Sequence, residues 1–149
     1  MVLPGTLFSY LAAFITIVVA IALGDLAMSL HRLLRARRRV RWGALPLLAA
    51  LFVLSALLTL FFELWTLTRL ESISYFALAW MLVPPVLTFL AASAVLPDEV
   101  PPEGLDLDAF YFGERRYIWG VLALAFAADI ADSLVGDNFT VLGHPEYLW

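Results

Sequence analysis

GALPLLAALFVLSALLTLFF, residues Gly43 to Phe62, contains no charge over twenty residues, and it follows directly on HRLLRARRRVRW, His31 to Trp42, which carries six arginines and no acid. A helix needs roughly 20 mainly apolar residues to cross the hydrocarbon of a bilayer. Arginines just outside such a run stay with water and phosphates. The two segments together make the bilayer the solvent of this chain.

Three more runs answer the same description. Leu7 to Leu30 carries one charge, Asp25; Ser72 to Pro97 carries none; Tyr117 to Gly136 is interrupted only by Asp129 and Asp132. The predicted fold is all-α, an integral membrane bundle of four transmembrane helices. Their limits are about 7–30, 43–65, 72–97 and 117–136, in one transmembrane domain over 1–149, with connections 31–42 and 98–116.

Composition agrees. The 149 residues are 63% hydrophobic and 15% charged, with a mean hydropathy of +0.91. Soluble domains average about 45–50% apolar and about 25% charged. A chain this small leaves much of its surface in water when soluble, so an ordinary soluble enzyme and a disordered chain are both excluded. Cysteine is absent, which removes disulfide and thiolate chemistry. All nine basic residues are arginine, and with the abundant Ala and Leu this points to a GC-rich bacterial genome. The one basic run is a short loop between apolar segments, so nucleic-acid binding is not expected.

Positive charge collects on the cytoplasmic side of a membrane protein. Arg32 to Arg41, with Arg115 and Arg116, put eight of the nine arginines on one side of a four-pass chain, leaving only Arg69 outside. The N-terminus lacks the basic region of a cleaved signal peptide, and its apolar run is long, so it reads as a retained first helix. Both termini are expected outside, in a bacterial inner membrane. Arg35, Arg37, Arg38, Arg39 and Arg41 read as topology determinants and headgroup contacts. Trp42, Trp65, Tyr117 and Trp119 fall near helix ends, where amphipathic rings favour the interface.

The connection 98–116 is acidic and rich in proline, with Pro101 and Pro102 making its first part non-helical. Leu107, Phe110 and Tyr111 have helical spacing after Asp106, a candidate cap, which predicts a short helix on the inner membrane surface. Its acids are expected to pair with the arginines of 31–42. Asp25 is expected to pair with Arg32 or His31.

Acids at membrane depth are costly and usually face a bundle interior or a wet cavity. Ser55, Thr59 and Glu63 recur at steps of four and form one stripe on helix two. Asp129 and Asp132 share a face of helix four, about 18 and about 22 Å above Tyr117 at 1.5 Å per residue. Tyr10 and Thr16 fall at a similar depth. These groups are expected to line one cavity open to the outside. Crowded carboxylates relieve their repulsion by holding protons or a cation. Pro84 and Pro85 withdraw two N–H donors from helix three, which predicts a kink with a gating or coordinating role. Ala123, Ala127 and Ala131 on helix four, and Ala20 and Gly24 on helix one, make smooth stripes for helix packing or for a homo-oligomer. Helix four, with a stripe on one side and acids on the other, is expected to be central. The metal question stays open, since His31 and His144 are single and no HExxH spacing occurs. No P-loop, GxGxxG or nucleophile elbow is present, and no cofactor is called for.

His31 to Trp42, followed by Leu96-Pro-Asp-Glu99 and Phe110-Tyr-Phe112, resembles a group of uncharacterised bacterial multi-pass inner-membrane proteins over roughly residues 20 to 120. The resemblance implies a membrane bundle, with more helices than four, and no particular activity. Two functions are expected of such a chain. It is a non-enzymatic protein handling a proton or cation through its carboxylates, as an oligomeric channel or transport component; or it is a structural or assembly subunit of a larger membrane complex. Partners are the bilayer and either further copies or other membrane subunits.

Overall fold

The computed structural model describes residues 4–63 and 79–142. Four helices and two very short strands make up the described chain: α1 (Pro4–Arg35), β1 (Val40–Arg41), α2 (Ala44–Glu63), α3 (Val83–Val95), β2 (Leu105–Asp106) and α4 (Leu107–Leu142). Among the described residues two helical segments, Ser9–Arg35 and Ala44–Glu63, are long and apolar enough to cross a membrane. At 1.5 Å per residue, the 20 residues of α2 reach about 30 Å, the thickness of the hydrocarbon layer. Predicted residues 64–65 and 72–78, with Arg69 and Trp65, lie outside the described residues.

α1 runs five residues past its predicted end, and its last turn carries Arg32 and Arg35. Cations there oppose the negative end of the helix dipole, and Leu33 of the same turn is fully buried. The buried face of α1 is Leu11, Ile15, Val19, Ala22, Leu26, Ser29 and Leu33, a spacing of three and four that keeps one stripe inward. The opposite face exposes Phe14, Ile17, Ile21 and Met28. α2 behaves in the same way: Ala49, Val53, Ala56 and Leu57 are buried, while Leu48, Leu51, Phe52 and Phe62 are open. Apolar residues on both faces leave a large apolar exterior, which water tolerates poorly.

The short α3 takes the centre and touches α1, α2 and α4. Its buried positions are Pro84, Pro85, Thr88, Ala91, Ala92 and Val95. Small side chains allow three neighbours to approach closely. This corrects the expectation that helix four is central; α4 packs on α3 and α2. Its inward face is Ile118, Leu122, Ala125 and Ala128, whereas Ala123 and Ala127 point away and are exposed. Ala20 and Gly24 are exposed as well. Of the predicted ladder, Ala131 is half-buried, while Ala123 and Ala127 do not belong to the inward face of α4. Ala127 lies two residues from Ala125 and from Asp129, about 200° round the helix, so it cannot share their face.

The prolines of α3 stand in its first turn, where their missing N–H groups have no intrahelical acceptor to serve. Leu82, just before, leaves the helical run that includes 79–81. Its carbonyl accepts from Val86 N–H at 3.3 Å.

The connection 98–116 differs from its prediction. Instead of a separate surface helix and a later spanning helix, α4 is one rod of 36 residues from Leu107, about 54 Å long. Asp106 caps it: its carboxylate accepts the N–H groups of Asp108 at 3.0 Å and Ala109 at 3.2 Å, the second and third donors that a helix start leaves orphaned. Leu107 follows, fully buried in the core with Leu33, Val40, Ile118 and Leu122. Nothing in Glu114-Arg115-Arg116 breaks a helix; these residues are good helix formers, and the drop in hydropathy there marks a change of solvent rather than of backbone.

β1 and β2 pair in parallel, Val40 with Leu105 and Arg41 with Asp106. Leu105 N–H also donates to Arg39 O at 2.9 Å. Gly104 makes this approach possible, with φ +107° and a Cβ position only 2.9 Å from Arg39 O. Such a φ suits glycine alone. A Cβ at Gly43 would meet the Asp108 carboxylate, so that side chain would have to move aside for any other residue there.

Candidate functional site

The stripe on α2 and the acid on α4 meet. Thr59 and Glu63 of α2, Pro84 and Thr88 of α3, and Phe126 and Asp129 of α4 line one cleft, floored by Ala56, Leu60 and Ala125. Its volume is about 30 Å³, room for a water molecule or two. No organic substrate fits. A proton, a water, or a dehydrated small cation does.

The convergence follows from helix geometry. On α2, Ala56, Thr59, Leu60 and Glu63 recur at three and four, so one side of two successive turns faces α3 and α4. On α4, Ala125 and Asp129 continue the inward line of Ile118 and Leu122. Glu63 is half-buried and Asp129 exposed, so the cleft opens at the Asp129 side.

The hydroxyls in the cleft are turned toward their own helices. Thr59 Oγ1 donates to Ser55 O at 3.1 Å and Thr88 Oγ1 to Pro84 O at 2.9 Å. Each keeps oxygen lone pairs for a further donor. Thr88 is buried, 3% exposed, and it is a polar cleft residue absent from the predicted set, as are the apolar Ala56, Leu60, Ala125 and Phe126. The signal for Thr88 was available: it lies four residues after Pro84 and hence on the same face.

Other predicted members stand elsewhere. Ser55 is exposed, gives its proton to Phe52 O at 2.7 Å, and is not in the cleft lining. Tyr10, 76% exposed, and Thr16 lie on the outer face of α1; the inner face at that level is Ile15 and Val19, packed with Leu60 and Leu82. Asp132 lies one turn beyond Asp129 in α4, and its side chain is outside the described residues, as is His144. Among the described residues no three of His, Cys, Asp and Glu are grouped to hold a metal ion.

The other end of the bundle collects the charges. Arg41 pairs with Asp106 at 3.0 Å. Arg32 pairs with Asp98 at 3.4 Å and donates to its backbone carbonyl at 3.0 Å, while buried Ser29 donates to the same carboxylate at 3.0 Å. Acids of 98–116 thus do meet the arginines of 31–42. Arg32 goes to Asp98 and not to Asp25, because the chain leaving α3 brings Asp98 beside the last turns of α1. Arg35, Arg38 and Arg39 line a wide cleft; Arg37 does not. An aromatic group closes this end: Phe52 lies 5.4 Å from Trp119, Trp119 Nε1 donates to Tyr111 Oη at 2.9 Å, and Arg115 sits 5.2 Å over Phe112.

No protein-family model, curated protein or solved structure matches this chain.

Proposed function

We propose that the chain is a multi-pass protein of a bacterial inner membrane, non-enzymatic, that handles a proton or small cation at the cleft between α2, α3 and α4. The observation that carries this reading is the meeting of Glu63 and Asp129, from two different helices, with Thr59, Thr88 and Pro84 in one cleft. Acids are expensive at membrane depth and rarely tolerated without a task. The cleft volume of about 30 Å³ and the lack of a three-ligand group among the described residues favour the proton. In this reading all four apolar runs cross the bilayer, both termini lie outside, and the arginine connection is cytoplasmic. Leu82 to Pro85 is the kink of the third span. Four spans are few for alternating access by one chain, so further copies or other subunits complete the pathway.

Proton flux into liposomes tests it. Reconstituted wild type is expected to dissipate a pH gradient, and Glu63→Gln and Asp129→Asn are each expected to slow it by about a hundredfold, the lower range for losing a proton-transferring group. Equal flux in wild type and both variants removes the proposal.

One observation favours the second reading, a structural or assembly subunit of a membrane complex. Ala123 and Ala127 present a smooth face that is exposed. Purification from native membranes separates the two: a chain that always runs alone or only with itself counts against the subunit role.

A further inference from the structure

The arginine end contains a second, much larger cleft of about 860 Å³ between the end of α1, the turn after it and the chain leaving α3. Arg32, Arg35, Arg38 and Arg39 face Asp98 and Glu99 across it. Four guanidinium groups against two carboxylates leave two net positive charges. Asp98 is engaged by Arg32 and Ser29, and Asp106 by Arg41 outside the cleft. Among the described residues Arg35, Arg38 and Arg39 have no carboxylate partner. Guanidinium is a planar fork of donors that matches phosphate oxygens in pairs and binds them more strongly than neutral groups. The neighbouring sequence decides the kind of phosphate. Leu34, next to Arg35 in the chain, is 52% exposed, and Trp42 and Leu45, three and six residues after Arg39, are 40% and 47% exposed. A free phosphate ion has no use for apolar surface near its site, whereas a phospholipid joins its headgroup to acyl chains that need it.

We infer that this cleft is a binding site for the phosphate of an anionic phospholipid headgroup, held by Arg35, Arg38 and Arg39 with Arg32 as the anchored fourth wall. The inference rests on the membrane reading of the chain and is independent of the Glu63–Asp129 cleft. It differs from general attraction of basic loops to anionic membranes, because three named arginines hold the phosphate while Arg37, in the same turn, does not.

The test uses the full-length chain in detergent and native mass spectrometry, with short-chain phosphatidylglycerol, short-chain phosphatidylcholine and inorganic phosphate as probes. Arg38→Gln, Arg39→Gln and Arg37→Gln each remove one charge from an exposed turn whose hydrogen bonds are made by backbone, so all three retain the fold. Wild type and Arg37→Gln are expected to retain phosphatidylglycerol over phosphatidylcholine. Arg38→Gln and Arg39→Gln are each expected to lose it about tenfold, the value of one charge-assisted hydrogen bond. Equal loss in Arg37→Gln overturns the site in favour of diffuse attraction. Equal retention of the two lipids overturns the charge argument. Binding of inorganic phosphate with the same arginine dependence, without retention of phosphatidylglycerol, overturns the lipid assignment. Co-flotation of the wild-type chain with phosphatidylcholine vesicles checks the membrane reading separately.

Discussion

At one end of the bundle several polar side chains reach partners on other elements; at the other, two carboxylates share a cleft with hydroxyls that bond back to their own helices. The first end is stitched across long sequence distances: Val40 to Leu105, Arg32 and Ser29 to Asp98, Arg41 to Asp106, and the cap of α4 by Asp106. The second has Thr59 bonded to Ser55 O and Thr88 to Pro84 O, contacts that hold no helix to another. The contrast separates a part tied together between elements from a part whose hydroxyls bond within their own helices.

The comparison can be broken by substitution, and the stitched end is expected to respond most. Leu107→Ala removes a fully buried side chain at the start of α4, and about 2–5 kcal/mol of stability is expected to go with it, read as denaturant-driven loss of helical signal in detergent. Gly104→Ala follows, at about 1–3 kcal/mol, because the left-handed backbone and the nearby Arg39 O both oppose a Cβ; a melting temperature equal to wild type would show that β1 and β2 do not bear on the fold. Asp106→Ala is expected to cost about 1 kcal/mol for the lost cap. Arg41→Gln removes the ion pair and leaves the cap, so it should cost less than Asp106→Ala; if the two matched, the ion pair rather than the cap would be the stabilising contact. Smallest of all, Glu63→Gln and Asp129→Asn should leave thermal stability within about 0.5 kcal/mol of wild type or raise it, while slowing proton flux. A clear loss of stability in either would move those acids from function to structure.

α2 was legible because twenty residues without a charge or a helix-breaking run favour one continuous apolar helix, and the helix begins at Ala44, one residue into the run, and continues past its last residue to Glu63. The cap at Asp106 and the pairing of acids with the arginine loop were legible too, the first from position and the second from charge. The continuity of α4 was not, since Glu114 to Arg116 lower the hydropathy without lowering helix propensity. Nor was the choice of Ala125 and Ala128 over Ala123 and Ala127 as the inward line. Small residues at steps of four look alike on every face, and only a neighbouring helix tells them apart.

Residue chemistry alone determined that these segments are helices, that their exteriors are apolar, and that charge gathers in the connections, because backbone hydrogen bonding and transfer out of water are local properties of each stretch. Which helix lies in the centre, which arginine meets which acid, and that Glu63 and Asp129 share a cleft while Ser55 does not were decided by tertiary packing. Those outcomes depend on the relative rotation of whole helices about their axes, and a single chain of letters carries that only through contacts between residues far apart in it.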